Sequence, residues 1–137
     1  MRVVEHDGDR YLLIKASGQS SLVRDPNTGN EQYLPNDELT VTGDPPLHLT
    51  AKVIPEPRRR ILTAVHSEQL LGLLVELDTR GPLSAREIID ISDFCESDLH
   101  GQLLELRAAG LIEEAKIGAE RGYALTELGS EGVSALR

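Results

Sequence analysis

Catalysis and metal binding require particular side chains at particular spacings, and this 137-residue sequence offers few of them. Its four histidines, His6, His48, His66 and His100, are scattered without the short intervals of metal ligands, and Cys95 is the single cysteine. That argues against a zinc site. Carboxylate pairs at Glu113-Glu114 and Asp90/Asp93 fall on expected strand and turn surfaces, with no apolar pocket evident around them for acid–base work. No phosphate loop, dinucleotide fingerprint or nucleophile elbow occurs. The residues point away from an enzyme, call for no cofactor, and leave binding as the chemistry to look for. Cations suited to phosphate are Arg86, Arg121 in the Gly-flanked stretch GAERG (118–122), and Arg58-Arg59-Arg60, the only basic cluster. That cluster has a second reading as a solvated helix edge paired with acidic neighbours.

Helices and strands must place these groups. Residues 58–81 carry Ile61, Leu62, Val65, Leu70, Leu71, Leu74 and Leu77 at amphipathic spacing, with a possible break at His66-Ser67 where Ser67 can cap a second segment. Gly81-Pro82 ends it. Two helix starts then repeat one device. In LSAREI (83–88), Ser84 caps, Glu87 sits three residues on, and Leu83 with Ile88 form a hydrophobic staple. In FCESDL (94–99), Cys95, Asp98, Phe94 and Leu99 take the same positions. Helices over 85–91 and 96–109, joined through Ser92-Asp93 and closed by Gly110, make a helix-turn-helix. A β-hairpin of 111–117 and 123–126 around a turn at 118–122 follows. A last helix over 127–137 holds two glycines, so it depends on packing rather than propensity.

The N-terminal part reads as β-structure: RYLLIKAS (10–17), SSLVRD (20–25) and EQYL (31–34), separated by turn residues, suggest a three-stranded meander. Pro26 and Gly29 suit the second turn. The expected organisation is a meander over 1–44, a Pro-rich connector over 45–57 with a short strand just before it at 39–42, and the helical domain over 58–137.

The element order and two motifs resemble a known group. LRAAGLIEE (106–114) looks like the exit from the recognition helix into the wing of ArsR- and MarR-type transcription regulators, and YALTELG (123–129) resembles the strand and helix start that follow the wing. The likeness spans roughly 58–137. It implies an α+β fold, a winged helix-turn-helix preceded by the small antiparallel meander, and a DNA-binding regulator, expected as a homodimer. Carried over by position, 96–109 becomes the recognition helix and 118–122 the wing tip. DNA-facing residues would be Ser97, His100 and Gly101, with Arg121, Arg86, Arg58 and Arg59 on phosphates.

The expected recognition helix departs from that pattern. Leu99, Leu103 and Leu106 form its buried stripe, with Cys95 at its start as a small buried residue rather than a redox thiol. The opposite meridian is Ser97, Gly101, Leu104 and Ala108, small and uncharged. Such a strip suits a protein partner or a second copy, which gives an alternative reading as an interaction adaptor. Glu96 and Asp98 favour the helix dipole, so their acidity is explained by capping.

The whole chain is acidic, with 23 Asp and Glu against 14 Lys and Arg, a net charge of -9, and only Lys15, Lys52 and Lys116 as lysines. This Lys-poor, acidic composition resembles proteins of salt-loving archaea. It opposes long-range attraction to nucleic acid or an anionic membrane. At about 1 M salt the Debye length is about 3 Å, so a few placed arginines then count for more than the total. The start MRVVEHDGDR lacks the apolar run of a signal peptide, and no segment reaches the roughly 18 apolar residues of a membrane span. The expectation is a soluble cytoplasmic protein.

Overall fold

Asp7-Gly8 is the first turn in the chain, and both residues have positive φ, 50° and 85°. That is the requirement of a type I′ hairpin. It joins strand β1 (Arg2–His6) to β2 (Asp9–Lys15), with Val4 opposite Tyr11. The computed structural model describes residues 1–137, whose contacts divide into two units, Met1–Ile54 and Pro55–Arg137. No helix in either is long and apolar enough to cross a membrane.

In the first unit β3 (Ser20–Arg24), β4 (Glu31–Pro35) and β5 (Thr40–Val41) complete an antiparallel sheet of order β4-β3-β2-β1-β5. Val3, Val4, Leu12 and Val23 are its buried apolar side chains, with Ser21 buried beside them. The three strands expected from the sequence are present, and β1 is an addition, because its two valines stand beside the polar run EHDGDR. Gly29, with φ 76°, turns the chain between β3 and β4 as its position implied. The Pro-rich stretch is not all irregular: helix α1 spans Pro46–Ala51 with proline in its first turn. Proline is tolerated there because that N–H has no helical partner anyway.

The second unit begins with α2 (Glu56–Ala64) and α3 (Glu68–Arg80). They are separate helices, and the Ser67 side chain accepts from the Leu70 N–H to start the second. Gly81, at φ 84°, ends α3 and leads into β6 (Leu83–Ser84). At α4 (Ala85–Ile91) the capping box forms in full: Ser84 Oγ accepts from Glu87 N at 3.1 Å, and Glu87 Oε1 accepts from Ser84 N at 3.2 Å. Helix α5 (Glu96–Ala108) buries Leu99, Leu103 and Leu106. It closes in a Schellman motif, with Gly110 at φ 77°, Leu111 N donating to Leu106 O and Gly110 N to Arg107 O.

The second expected box does not form. Cys95 occupies the cap position, but its side chain caps no backbone N–H; its sulfur is instead hydrogen-bonded to Ser97 Oγ at 3.4 Å, and it is exposed rather than buried. A thiol is a weak acceptor, and the cap residue lies outside the helical repeat, with ψ 156°, so the leucine stripe does not extend to it.

Strands β7 (Ile112–Ile117) and β8 (Glu120–Leu125) form the wing hairpin in a sheet of order β6-β8-β7. Helix α6 (Glu127–Leu136) starts at Thr126, which caps Gly129 N. Its glycines have a packing cause. A methyl on Gly129 would overlap the Leu111 carbonyl oxygen, and one on Gly132 would press on Pro57 O and the Ile61 side chain. The helix trades propensity for close backbone approach to α2 and to the entry of the wing. Ile61, Leu74, Ile88, Leu106, Leu111 and Val133 are the centre of one core shared by α2 to α6 and the wing.

Candidate nucleic-acid interface

The wing turn is tighter than the five residues expected. Ile117 pairs with Glu120, so only Gly118-Ala119 lies between the strands, and Gly118 has φ 65°. Glycine at the first central position suits a type II′ turn. The shorter turn moves Arg121 off the tip and onto β8, directly opposite Lys116. Opposite residues in a ladder share a face and have Cβ atoms about 5 Å apart. Like charges so placed repel, and both side chains are exposed.

That face has a direction. Tyr123 lies two residues along β8 from Arg121, so both point to the same side of the hairpin. Tyr123 lines a hollow of about 620 Å³ together with Ala85 and Ile89 of α4 and Glu96, Ser97, Leu99, His100 and Leu103 of α5; Lys116 and Arg121 lie outside its lining. Ser97 and His100 are therefore brought to the side of the wing that carries Lys116 and Arg121. Gly101, Leu104 and Ala108 are exposed along a neighbouring strip of α5, with Leu104 48% exposed and open space where a Gly101 side chain would stand.

Most cations of this unit are already engaged. Arg86 meets Glu120 at 3.3 Å while staying largely exposed, Arg107 meets Glu114 at 3.2 Å, and Arg80 is shared between Glu76 and Glu87. Arg60 pairs with Glu56 and donates to Ala109 O at 3.1 Å. Ala109 closes α5 twelve residues after Ser97, about 18 Å along the axis. Arg60 thus borders the far end of α5. Lys116 and Arg121 make no ion pair. Lys116 is the residue that the sequence reading left out; fixing the hairpin on a two-residue Gly-Ala turn would have paired it with Arg121.

On the acidic side, Glu96, Asp98 and Glu105 stand exposed on α5. Glu96 and Asp98 are in its first turn, where the helix dipole favours them. On the wing face, Glu114 is tied to Arg107, while Glu120 points to the opposite face and meets Arg86, which leaves Lys116 and Arg121 without an ion pair on their own side of the hairpin.

Three packed helices, a helix-turn-helix and a two-stranded wing define a winged helix-turn-helix domain, here preceded by an antiparallel β-sheet unit. The chain belongs to the DUF7346 family, a family of unknown function whose model matches residues 1–137. No curated protein matches it. Among solved structures, the crystal structure of an ArsR family transcriptional regulator is similar at 24% identity, covering 60% of this chain and 84% of its own, with a TM-score of 0.46.

Proposed function

We propose that this protein is a double-stranded-DNA-binding winged-helix transcription regulator that acts without catalysis, in the cytoplasm and as a homodimer. One observation carries the reading: Lys116 and Arg121, without ion pairs and opposed across the wing, are on the same side of the hairpin as Tyr123, which lines a hollow with Ser97 and His100 of α5. Two cations held against their own repulsion are a ready site for a phosphate, which relieves that repulsion when it binds. Ser97 and His100 supply hydrogen-bonding groups for the adjoining groove, and Gly101 permits close approach of the helix to the duplex. Arg86 is a further phosphate contact if it exchanges Glu120 for DNA, with Arg58 and Arg59 of α2 as additional candidates. The acidic, Lys-poor composition supports a saline cytoplasm, in which these local charges outweigh the net charge. In a mobility-shift assay at high potassium chloride, genomic promoter fragments should be retarded and Arg121→Ala should weaken the shift. Failure to retard any fragment would overturn the reading.

A second reading is favoured by the exposure of Leu104 beside the open Gly101. In it, Ser97, Gly101, Leu104 and Ala108 pack on a protein partner, and the acids around them repel DNA. Gly101→Arg should then abolish a complex seen by size-exclusion chromatography. An unchanged complex counts against the adaptor.

A further inference from the structure

A second groove, of about 760 Å³, lies beside α3 and away from the wing. Its apolar floor is Leu71, Gly72 and Val75 of α3 with Ile91, Phe94 and Leu99 from the helix-turn-helix. Leu71 is 38% and Ile91 50% exposed, an unusual display for side chains so near the core. Glu68 and Glu76 stand on its rim, and no Lys or Arg lines it. These glutamates lie four residues either side of Gly72, on one face of α3 and about 12 Å apart along its axis. Glu68 has no ion pair, and Arg80, which meets Glu76, is divided with Glu87.

Gly72, like Gly101 of α5, is a helix-interior glycine without a packing cause in this chain. Glycine in a helix interior is destabilising, and at Gly129 and Gly132 the chain's own backbone explains it. At Gly72 nothing lies within 4 Å of where a Cβ would stand, so no part of this chain needs the space.

We propose that this groove docks an amphipathic helix of a partner protein, whose apolar stripe is flanked by Lys or Arg about two turns apart. The apolar side chains enter between α3 and the helix-turn-helix. The cations meet Glu68 and Glu76, and Gly72 lets the partner's backbone come close. A second copy of this chain is a poor occupant, because groove against groove sets the Glu68 and Glu76 of each protomer against those of the other. The proposal is independent of DNA binding, since it uses none of the wing residues.

The test uses the full chain and two synthetic helical peptides with the same leucine stripe, one flanked by arginines and one by glutamates, followed by fluorescence anisotropy. The arginine peptide should bind about tenfold more tightly or better, through electrostatic complementarity. The double variant Glu68→Arg/Glu76→Arg should invert that preference. Gly72→Leu, which fills the floor, should weaken the arginine peptide by about tenfold without altering the circular-dichroism spectrum. Equal affinity for the two peptides, or no binding of either, would overturn the proposal. So would a dimer in sedimentation that Leu71→Asp dissociates, since the groove would then belong to a second copy.

Discussion

Replacing Arg121 by Thr, and then Lys116 by Thr as well, removes the cations of the wing while keeping residues that suit a strand. Two effects of opposite sign should follow. The opposed pair is a repulsive cross-strand contact, of the kind that costs about 0.2–1 kcal/mol, and exposure of both groups places it at the low end of that range. Its removal should raise the melting temperature by about 1–2 °C. DNA affinity should move the other way. Each cation that neutralises a phosphate contributes about 0.9 to the slope of log affinity against log salt, so the pair contributes about 1.8 per protomer. Over a fourfold rise in salt, wild-type affinity should fall by about twelvefold per protomer more than that of the double variant. Fluorescence anisotropy with a labelled duplex, repeated across a fourfold range of potassium chloride, measures the slope, and thermal unfolding measures the other sign. Equal slopes for the two proteins, or a double variant that melts earlier, would refute phosphate binding by the pair and assign the cations to hairpin stability.

Three further perturbations test the local physics. Cys95→Ser supplies the oxygen acceptor that the α5 cap lacks, and should stabilise the chain by about 1 kcal/mol in denaturant unfolding. Gly129→Ala should destabilise by about 2 kcal/mol or more in the same assay, because the overlap is with the Leu111 carbonyl and not with a movable side chain. The backbone and side-chain hydrogen bonds of Ser84, with Arg80 nearby, hold the Glu87 carboxyl below its usual value of 4.5. A lowered folded-state value means that the box stabilises the fold above that pH, and that this contribution fades as pH falls through the lowered value. Ser84→Ala, which removes the hydroxyl but keeps the backbone N–H, should bring the Glu87 midpoint part of the way upward in a carboxyl NMR titration; an unmoved midpoint would leave the hydroxyl without a part in it.

How far the sequence could be read follows from where its information is local. The leucine spacing of α3 and α5, Ser67 as a cap, the Ser84–Glu87 box and Gly110 are each set within a few residues, and all were legible. Failures came where one local cue hid another. Asp7-Gly8 was passed over as part of a polar start, so the strand before it was missed. Pro46 stands in the first turn of α1, where proline begins a helix as readily as it ends one, so a Pro-rich stretch conceals that helix. Cys95 was placed on the buried stripe by a periodicity that does not hold at the cap. The glycines of α6 looked like weakness because the backbones they admit, at Leu111 and Pro57, are distant in sequence.

The wing register has the largest consequence. A turn of five residues leaves Arg121 alone at a mobile tip, where a solvated arginine needs no explanation. A turn of two residues places it against Lys116, where repulsion has to be offset, and on the face of Tyr123 and His100. The distinction moves the electrostatic centre of the domain from α5, whose outer face carries no cation before Arg107, to the hairpin beside it. On the proposed DNA-binding reading, charge placed this way would meet the phosphates next to the groove, with α5 contributing shape, one imidazole and one hydroxyl. Recognition by such a surface should depend more on groove geometry and deformability than on a base-by-base code. On that reading Glu96, which lines the hollow beside Ser97 and His100, is the acid of α5 that a bound phosphate would have to avoid.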